Sequence, residues 1–534
     1  MSYNLDSYQE PFWAKSSKFV RGRDPLGVQN SSISVYANLL PGLTNLTQRL
    51  RYYGMYLFLL DEYKKLSDLH EFKKSPKGQF KFIRRAELTL AFVMRNEFPE
   101  ELAVIGSSFA SDNINKAKEK GYYDISLGAD QLKDTVKGSV YWDYSSGALG
   151  QYYAGSLFAL DLMETRGGYF ERTEVYGLEL ANAYRSSMTT ETTTLFLKVI
   201  LEGKLNFEDI VNLNDIVLNK DYKNTSEGEF YRQMLLSNDG IKSKTTSSAI
   251  TSKRKESLQL FLNIIADSNE DIKWNNMPIY CYKECLLKTK EEVTGANFGW
   301  YYYYLNELVH YSIETVFWGL LMEIDGHSYS LHQFLTVITD KVFIESEAII
   351  GNKQNLSLEN LIKSVKKEDF DTDNLIFEIG KSIKDNNTYE GILGGILSLI
   401  CLYRDNKHKL HEAQEYANEH YLNTKHGNAL AIFKDYIETS KSLSFKDFIR
   451  KVIHTLLNEH IAIAYAKMGN GEKNLLKFVI EDNYLIHIET MEPNFTNPRL
   501  KTLYNFTRDL GLVNENDQIT TEGKVLLNKL NNGL

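Results

Sequence analysis

Proline is scarce in this chain: 8 in 534 residues, and none between Pro278 and Pro493. Proline removes a backbone donor and breaks helix interiors, so so long a stretch without it favours long helices. Cysteine is scarcer still. Cys281, Cys285 and Cys401 are too few for a disulfide framework and fit a reducing compartment, and one Cys-x-x-x-Cys pair without a second does not make a zinc module. There is no basic excess either; with a formal charge of −9 and a pI near 5.8, any nucleic-acid contact has to come from a local patch. Apolar runs such as residues 392–402 fall short of the roughly 20 residues that cross a bilayer, and the N-terminus has no apolar signal core. A cytoplasmic protein with no membrane contact is expected. The sequence also lacks G-x-x-x-x-G-K-[ST], a G-x-G-x-x-G after a strand, H-E-x-x-H and G-x-S-x-G. Phosphate-loop hydrolysis, zinc peptidase chemistry and elbow-serine hydrolysis are thereby disfavoured, and no cofactor or metal is expected.

What is present is concentrated first in residues 39–63, LLPGLTNLTQRLRYYGMYLFLLDEY. Pro41-Gly42 suits a tight turn, Thr44 or Asn45 suits a helix cap, and Leu46, Leu50, Tyr53, Leu57 and Leu60 recur at the period of one buried helical face. Arg49 and Arg51 flank that face. Two residues apart on a helix is about 200° of rotation, so the pair divides: one anchors the fold while the other faces a partner. The plainer alternative is that both neutralise carboxylates of neighbouring helices. A second helix is expected over 82–94, with Arg84 and Arg85 in its first turn, where cations oppose the helix dipole and therefore ask for a specific partner.

A motif then occurs twice. Residues 143–184 read as helix, apolar corner (Leu160-Asp161-Leu162-Met163), Gly-rich turn, strand, and a helix opened by Thr173, Gly177 and Leu180. The chain end repeats it with Leu510-Gly511-Leu512-Val513 and Thr520, Gly523, Leu526, the second gap one residue shorter. Both copies resemble winged-helix modules, whose second helix can lie in a DNA groove. Upstream of the second copy, LKFVIEDNYLIHI is the strongest hairpin signal in the chain. Arg499, Lys501 and Arg508 could meet phosphates, although Glu515, Asp517 and Glu522 would repel them.

The fold class expected is mainly α: a helical multi-domain protein with small winged-helix-like α+β modules. The division expected is a helical region over 1–140, beginning with an extended arm over 3–35; a winged-helix-like module over 141–190; helical pieces and a polar linker over 191–255; a central helical domain over 256–457, built on a long helix over 298–323; and a hairpin with the C-terminal module over 458–534. The linker holds the densest basic cluster, Lys242, Lys244, Lys253, Arg254 and Lys255.

Three constellations have catalytic spacing. Glu307-x-x-His310 with Glu314 places carboxylate, imidazole and carboxylate on one helical side, but a di-iron site needs a second Glu-x-x-His, which is missing. His408, His411 and Glu415 also share a face, beside lysines that resist a cation. Arg404-Asp405-x5-His411 resembles the Arg-polar-x(4–6)-His signature of HEPN-type ribonucleases, and that resemblance implies a metal-independent ribonuclease with Arg404 and His411 as its catalytic pair. More of the chain is covered by another resemblance. The segment Leu40-Pro41-Gly42-x-Thr44-x-x-Thr47-x-Arg49-x-Arg51-Tyr52-Tyr53, with Arg84-Arg85-Ala86-Glu87-Leu88 and Asp509-Leu510-Gly511-Leu512, is similar to a family of uncharacterised bacterial proteins encoded in anti-phage defence islands. It implies a setting rather than a mechanism. The reading that follows is a non-catalytic scaffold or adaptor contacting DNA or, through a neighbouring gene's product, protein, with Arg49, Arg51, Arg84, Arg85, Arg499, Lys501 and Arg508 as the contact residues.

Overall fold

The computed structural model describes residues 24–132, 138–236, 248–267, 273–367, 370–420, 429–469 and 475–533. These residues are mainly helical, with three two-stranded antiparallel sheets among them. No described helix is long and apolar enough to cross a membrane. The chain forms two compact units, each discontinuous in sequence: Met1–Asn38 with Asn276–Asn497, and Leu39–Asn275 with Pro498–Leu534.

In the first unit the long helix is Gly295–Ile324, capped by the Thr294 side chain and buried almost all round. Its aromatic and aliphatic side chains form the centre, as an apolar helix without a polar face requires. Thr388–Asn406 crosses it at small residues: a methyl group on Gly395 would lie 2.7 Å from the Ser312 carbonyl oxygen, and Ser312 and Ser398 share a 2.9 Å hydrogen bond. This close approach explains the GILGGILSL run. Residues 24–28 lead into a helix, Gln29–Leu39, which covers the stretch 31–36 where the sequence lets a helix begin and takes in the end of the extended arm read over 3–35. The Asp24 carboxylate accepts the N–H groups of Val28 and Gln29 and so fixes its start. The predicted hairpin forms over Phe478–Glu481 and Tyr484–His487, with Asp482 and Asn483 at positive φ as a two-residue turn demands.

In the second unit Arg51–Lys65 is buried over nearly its whole length, not on one face. It starts later than its sequence suggests: Leu46 is half exposed, and Leu50 takes its cap from the Asp509 carboxylate, 3.2 Å from its N–H, in place of Thr44 or Asn45. The next helix is Pro76–Glu97 with proline at its start, so Arg84 and Arg85 sit in its interior and the supposed conflict with the dipole disappears.

The repeated motif is real down to single hydrogen bonds. In the first copy Ala154–Ala159 leads to a hairpin, Met163–Arg166 with Tyr169–Arg172, and then Tyr176–Ser186. In the second, Leu500–Asp509 leads to a Val513–Ile519 bridge and Thr521–Asn531. Asp161 and Gly511 both turn the corner at positive φ. Thr173 and Thr520 each donate N–H to the leucine after that corner, Leu162 or Leu512, and each hydroxyl accepts from a helix N–H, Gly177 at 2.9 Å or Gly523 at 3.1 Å. One detail shifts with the shorter gap: Leu527, not Leu526, is the buried counterpart of Leu180. A methyl group on Gly177 or Gly523 would run into the Leu162 or Leu512 carbonyl oxygen. Gly177→Ala and Gly523→Ala are therefore each expected to cost about 1–3 kcal/mol in denaturant melts. Gly155→Ala, with nothing within 4 Å, is expected to be neutral or stabilising.

Candidate partner-binding groove

The loop LPGLT at 40–44 is where the second unit is tied together. Leu39 oxygen accepts from the Ser257 hydroxyl at 3.0 Å, Leu40 oxygen from Arg499 at 3.3 Å, and Pro41 oxygen from Arg254 at 2.8 Å. Gly42 oxygen accepts from the Ser156 hydroxyl, and Thr44 oxygen from Thr502 at 2.7 Å. Successive carbonyls thus bind both repeat modules and the helix Ser248–Ala266.

Most of the cations expected to reach a partner are inside. Arg51, 1% exposed, pairs with Glu227 at 3.3 Å, donates to Ser187 at 2.9 Å and to the Val217 carbonyl, and lies 5.0 Å from the Tyr184 ring centre. Arg84 is fully buried and donates to four carbonyls, those of Ala129, Gln131, Trp142 and Tyr144, at 2.6–2.9 Å. Arg85 forks onto Asp130 and reaches the carbonyls of Ile200 and Leu201 that end Thr190–Glu202. These three hold the fold, because every guanidinium nitrogen of theirs already faces an internal acceptor. Beside them Glu87 is buried with donors from Tyr56, Tyr141 and the N–H groups of Ala148 and Leu149; burial pushes its pKa up and those bonds pull it down. Arg499 is half-buried at the Leu40 carbonyl.

In the basic cluster Arg254 is buried against the carbonyls of Met234, Leu235 and Pro41, and burial brings its pKa down to about 10. Lys253 faces Glu256 at 3.5 Å. Lys242 and Lys244 lie outside the described residues.

The remaining three come together. Arg49, Lys501 and Arg508 line an open groove of about 930 Å³ in the second unit. Arg49, buried, donates to Glu101 and Asn219 at 2.7 Å each with Asp509 at 3.6 Å, and among the described residues its Nε has no hydrogen-bond partner. Burial pushes the Asp509 carboxyl up and Arg49 pulls it down. Lys501 and Arg508 are on Leu500–Asp509 with Tyr504 between them, their charges 5.1 and 5.7 Å from its ring centre. Tyr504 stacks on Trp274 at 4.5 Å and donates to Asp517 of the wing. The groove lining carries equal numbers of cationic and carboxylate side chains. Leu102, 80% exposed, and Ala103, at φ 59°, stand at its rim. No sequence motif marked residues 100–103 or 218–224; only their juxtaposition in space makes them a site.

The ribonuclease pair does not come together. Arg404 is bound to Asp405 at 2.7 Å and to the carbonyls of Val365 and Phe370, whereas His411 is exposed beside Glu415. Among the described residues no hydrogen bond or ion pair joins Arg404 to His411. Nor does any group of three or more His, Cys, Asp or Glu among them suit a metal ion. Compared with known proteins, the chain matches no family model, no curated protein and no solved structure.

Proposed function

We propose that this protein is a non-catalytic helical adaptor, a cytoplasmic component of a bacterial anti-phage defence complex, and that its two winged-helix-like modules serve to hold a partner protein. The setting follows from the N-terminal resemblance. The observation that carries the contact is the charge balance of the 930 Å³ groove. A duplex is bound mainly by neutralising phosphates, and a lining in which carboxylates equal cations offers little of that. Protein surfaces, in contrast, pair charges of both signs across a polar rim.

The test is co-expression with the products of the neighbouring genes, alongside a gel shift with a 30-base-pair duplex. The expected result is a complex that survives size exclusion at 200 mM salt and no shifted duplex. A duplex shifted at 50 mM salt and released at 200 mM, with no protein partner, would replace this reading with DNA binding.

A further inference from the structure

We infer that the groove receives an acidic helix of the partner, gripped through two of its carboxylates by Lys501 and Arg508; this rests on the adaptor reading. The two cations are seven residues apart on one helix, which at 1.5 Å per residue separates them by about 10 Å on nearly the same face. They are held in place before any ligand arrives. Lys501 lies over both rings of the Trp274–Tyr504 stack, 5.7 and 5.1 Å from their centres, Arg508 lies over Tyr504, and the Tyr504 hydroxyl is tied to Asp517.

Neither has a strong carboxylate partner of its own. Among the described residues Lys501 forms no ion pair, and Arg508 has only Glu515 at 3.8 Å, a side chain that is 91% exposed. Of the groove's acids, Glu101 and Asp509 are taken up by Arg49, and Glu100, Asp221, Glu515 and Glu522 are exposed and solvated, so the two cations fixed on the aromatic stack are the preorganised charges. A polyanion would still meet those acids along its length, whereas two carboxylates at a fixed spacing would not. A helix with glutamates at i and i+7 reproduces that spacing on one face, and the bare Leu102 at the rim offers it an apolar contact.

The probe is a 16-residue alanine-rich helical peptide with glutamates at i and i+7, titrated against the full chain by fluorescence anisotropy. Its controls are the same peptide with glutamine or lysine at those positions and a 15-nucleotide oligothymidylate. The glutamate peptide should bind at least about tenfold more tightly than either control peptide or the oligonucleotide, and the Lys501→Glu/Arg508→Glu variant should abolish that difference. Lys524→Glu, on Thr521–Asn531 outside the groove, should leave it intact. Equal binding of glutamate and glutamine peptides, tighter binding of the oligonucleotide, no binding at millimolar peptide, or an unaffected double variant would each overturn the inference. If the double variant still co-purifies with a neighbouring gene's product, the groove assignment fails while the adaptor reading stands; if the wild type captures none, the adaptor reading fails first.

Discussion

Replacing Arg51 with methionine is expected to destabilise the second unit by about 3–5 kcal/mol, the usual penalty for leaving a buried charge without its partner. Glu227 is fully buried and its pairing with Arg51 is internal. The same substitution strips a donor from Ser187 and from the Val217 carbonyl. In Arg51→Met/Glu227→Gln the stranded charge is gone, so at least half of the loss should return. Arg49→Met supplies the contrast: Glu101 is one-third exposed and can be rehydrated, and Asp509 keeps its bond from the Leu50 N–H, so a loss of about 1–2 kcal/mol is expected. Hydrogen exchange across Arg51–Lys65, read with denaturant midpoints, measures all three. A double variant no more stable than Arg51→Met would mean that the ion pair is not what the arginine provides.

This contrast bears on how much could be read from sequence. Helical period and the lack of proline located the first unit's long helix, 298–323 against Gly295–Ile324, to within three residues, because an apolar stretch that long has few other ways to satisfy its backbone. The repeat was legible for a similar reason: Thr173 with Gly177 and Thr520 with Gly523 are local devices, each a hydroxyl that caps the helix following it and a glycine that lets that helix touch the corner carbonyl. Long-range partnership was not legible. Nothing in Arg84-Arg85 says that four of its acceptors are carbonyls at 129–131 and 142–144, and nothing in Arg49 names Asp509, 460 positions on. A buried arginine and a surface arginine have the same letter. The groove was hidden for the same reason, since its lining comes from segments near residues 49, 101, 220 and 508 that only the folded chain brings together.

The LPGLT loop and the RRAEL stretch also suggest why those letters stand where they do. The loop supplies backbone carbonyls to side chains of distant segments and the RRAEL arginines reach carbonyls of distant segments, and a carbonyl is present whatever residue supplies it. Recognition of this kind constrains the donor more tightly than the acceptor. Arg254 and Arg499, which donate to the loop, and Arg84 and Arg85 in RRAEL should therefore tolerate substitution far less than the residues whose oxygens they bind.

His310→Leu is expected to cost the first unit about 3–5 kcal/mol near pH 6.5, and nearly nothing by pH 10. The imidazole lies between Glu314 at 3.0 Å and Glu307 at 3.5 Å, all three from one helix and all buried. Burial pulls its pKa down, but the negative charges of Glu314 and Glu307 close by outweigh that and push it up to about 10. Asp24 lies near the same cluster, and burial, opposed by Lys467, leaves its own pKa raised. A histidine whose folded pKa is raised stabilises fully below its unfolded value near 6.5 and loses that contribution as pH climbs through about 10. The carboxylates hold more than the ring: Glu307 accepts from the Thr496 N–H and hydroxyl, Glu314 from the Asn494 N–H and the Gln29 amide, and Phe495 between them stacks on Tyr311 at 4.5 Å. Without the imidazolium the two acids face each other unneutralised, and the segment 494–496 should exchange amide hydrogens faster in the variant than in the wild type. Melts of both proteins from pH 6 to 10 give the decisive comparison. A stability gap that stays constant over that range would mean that His310 is neutral in the fold, and that its place between two glutamates is packing alone.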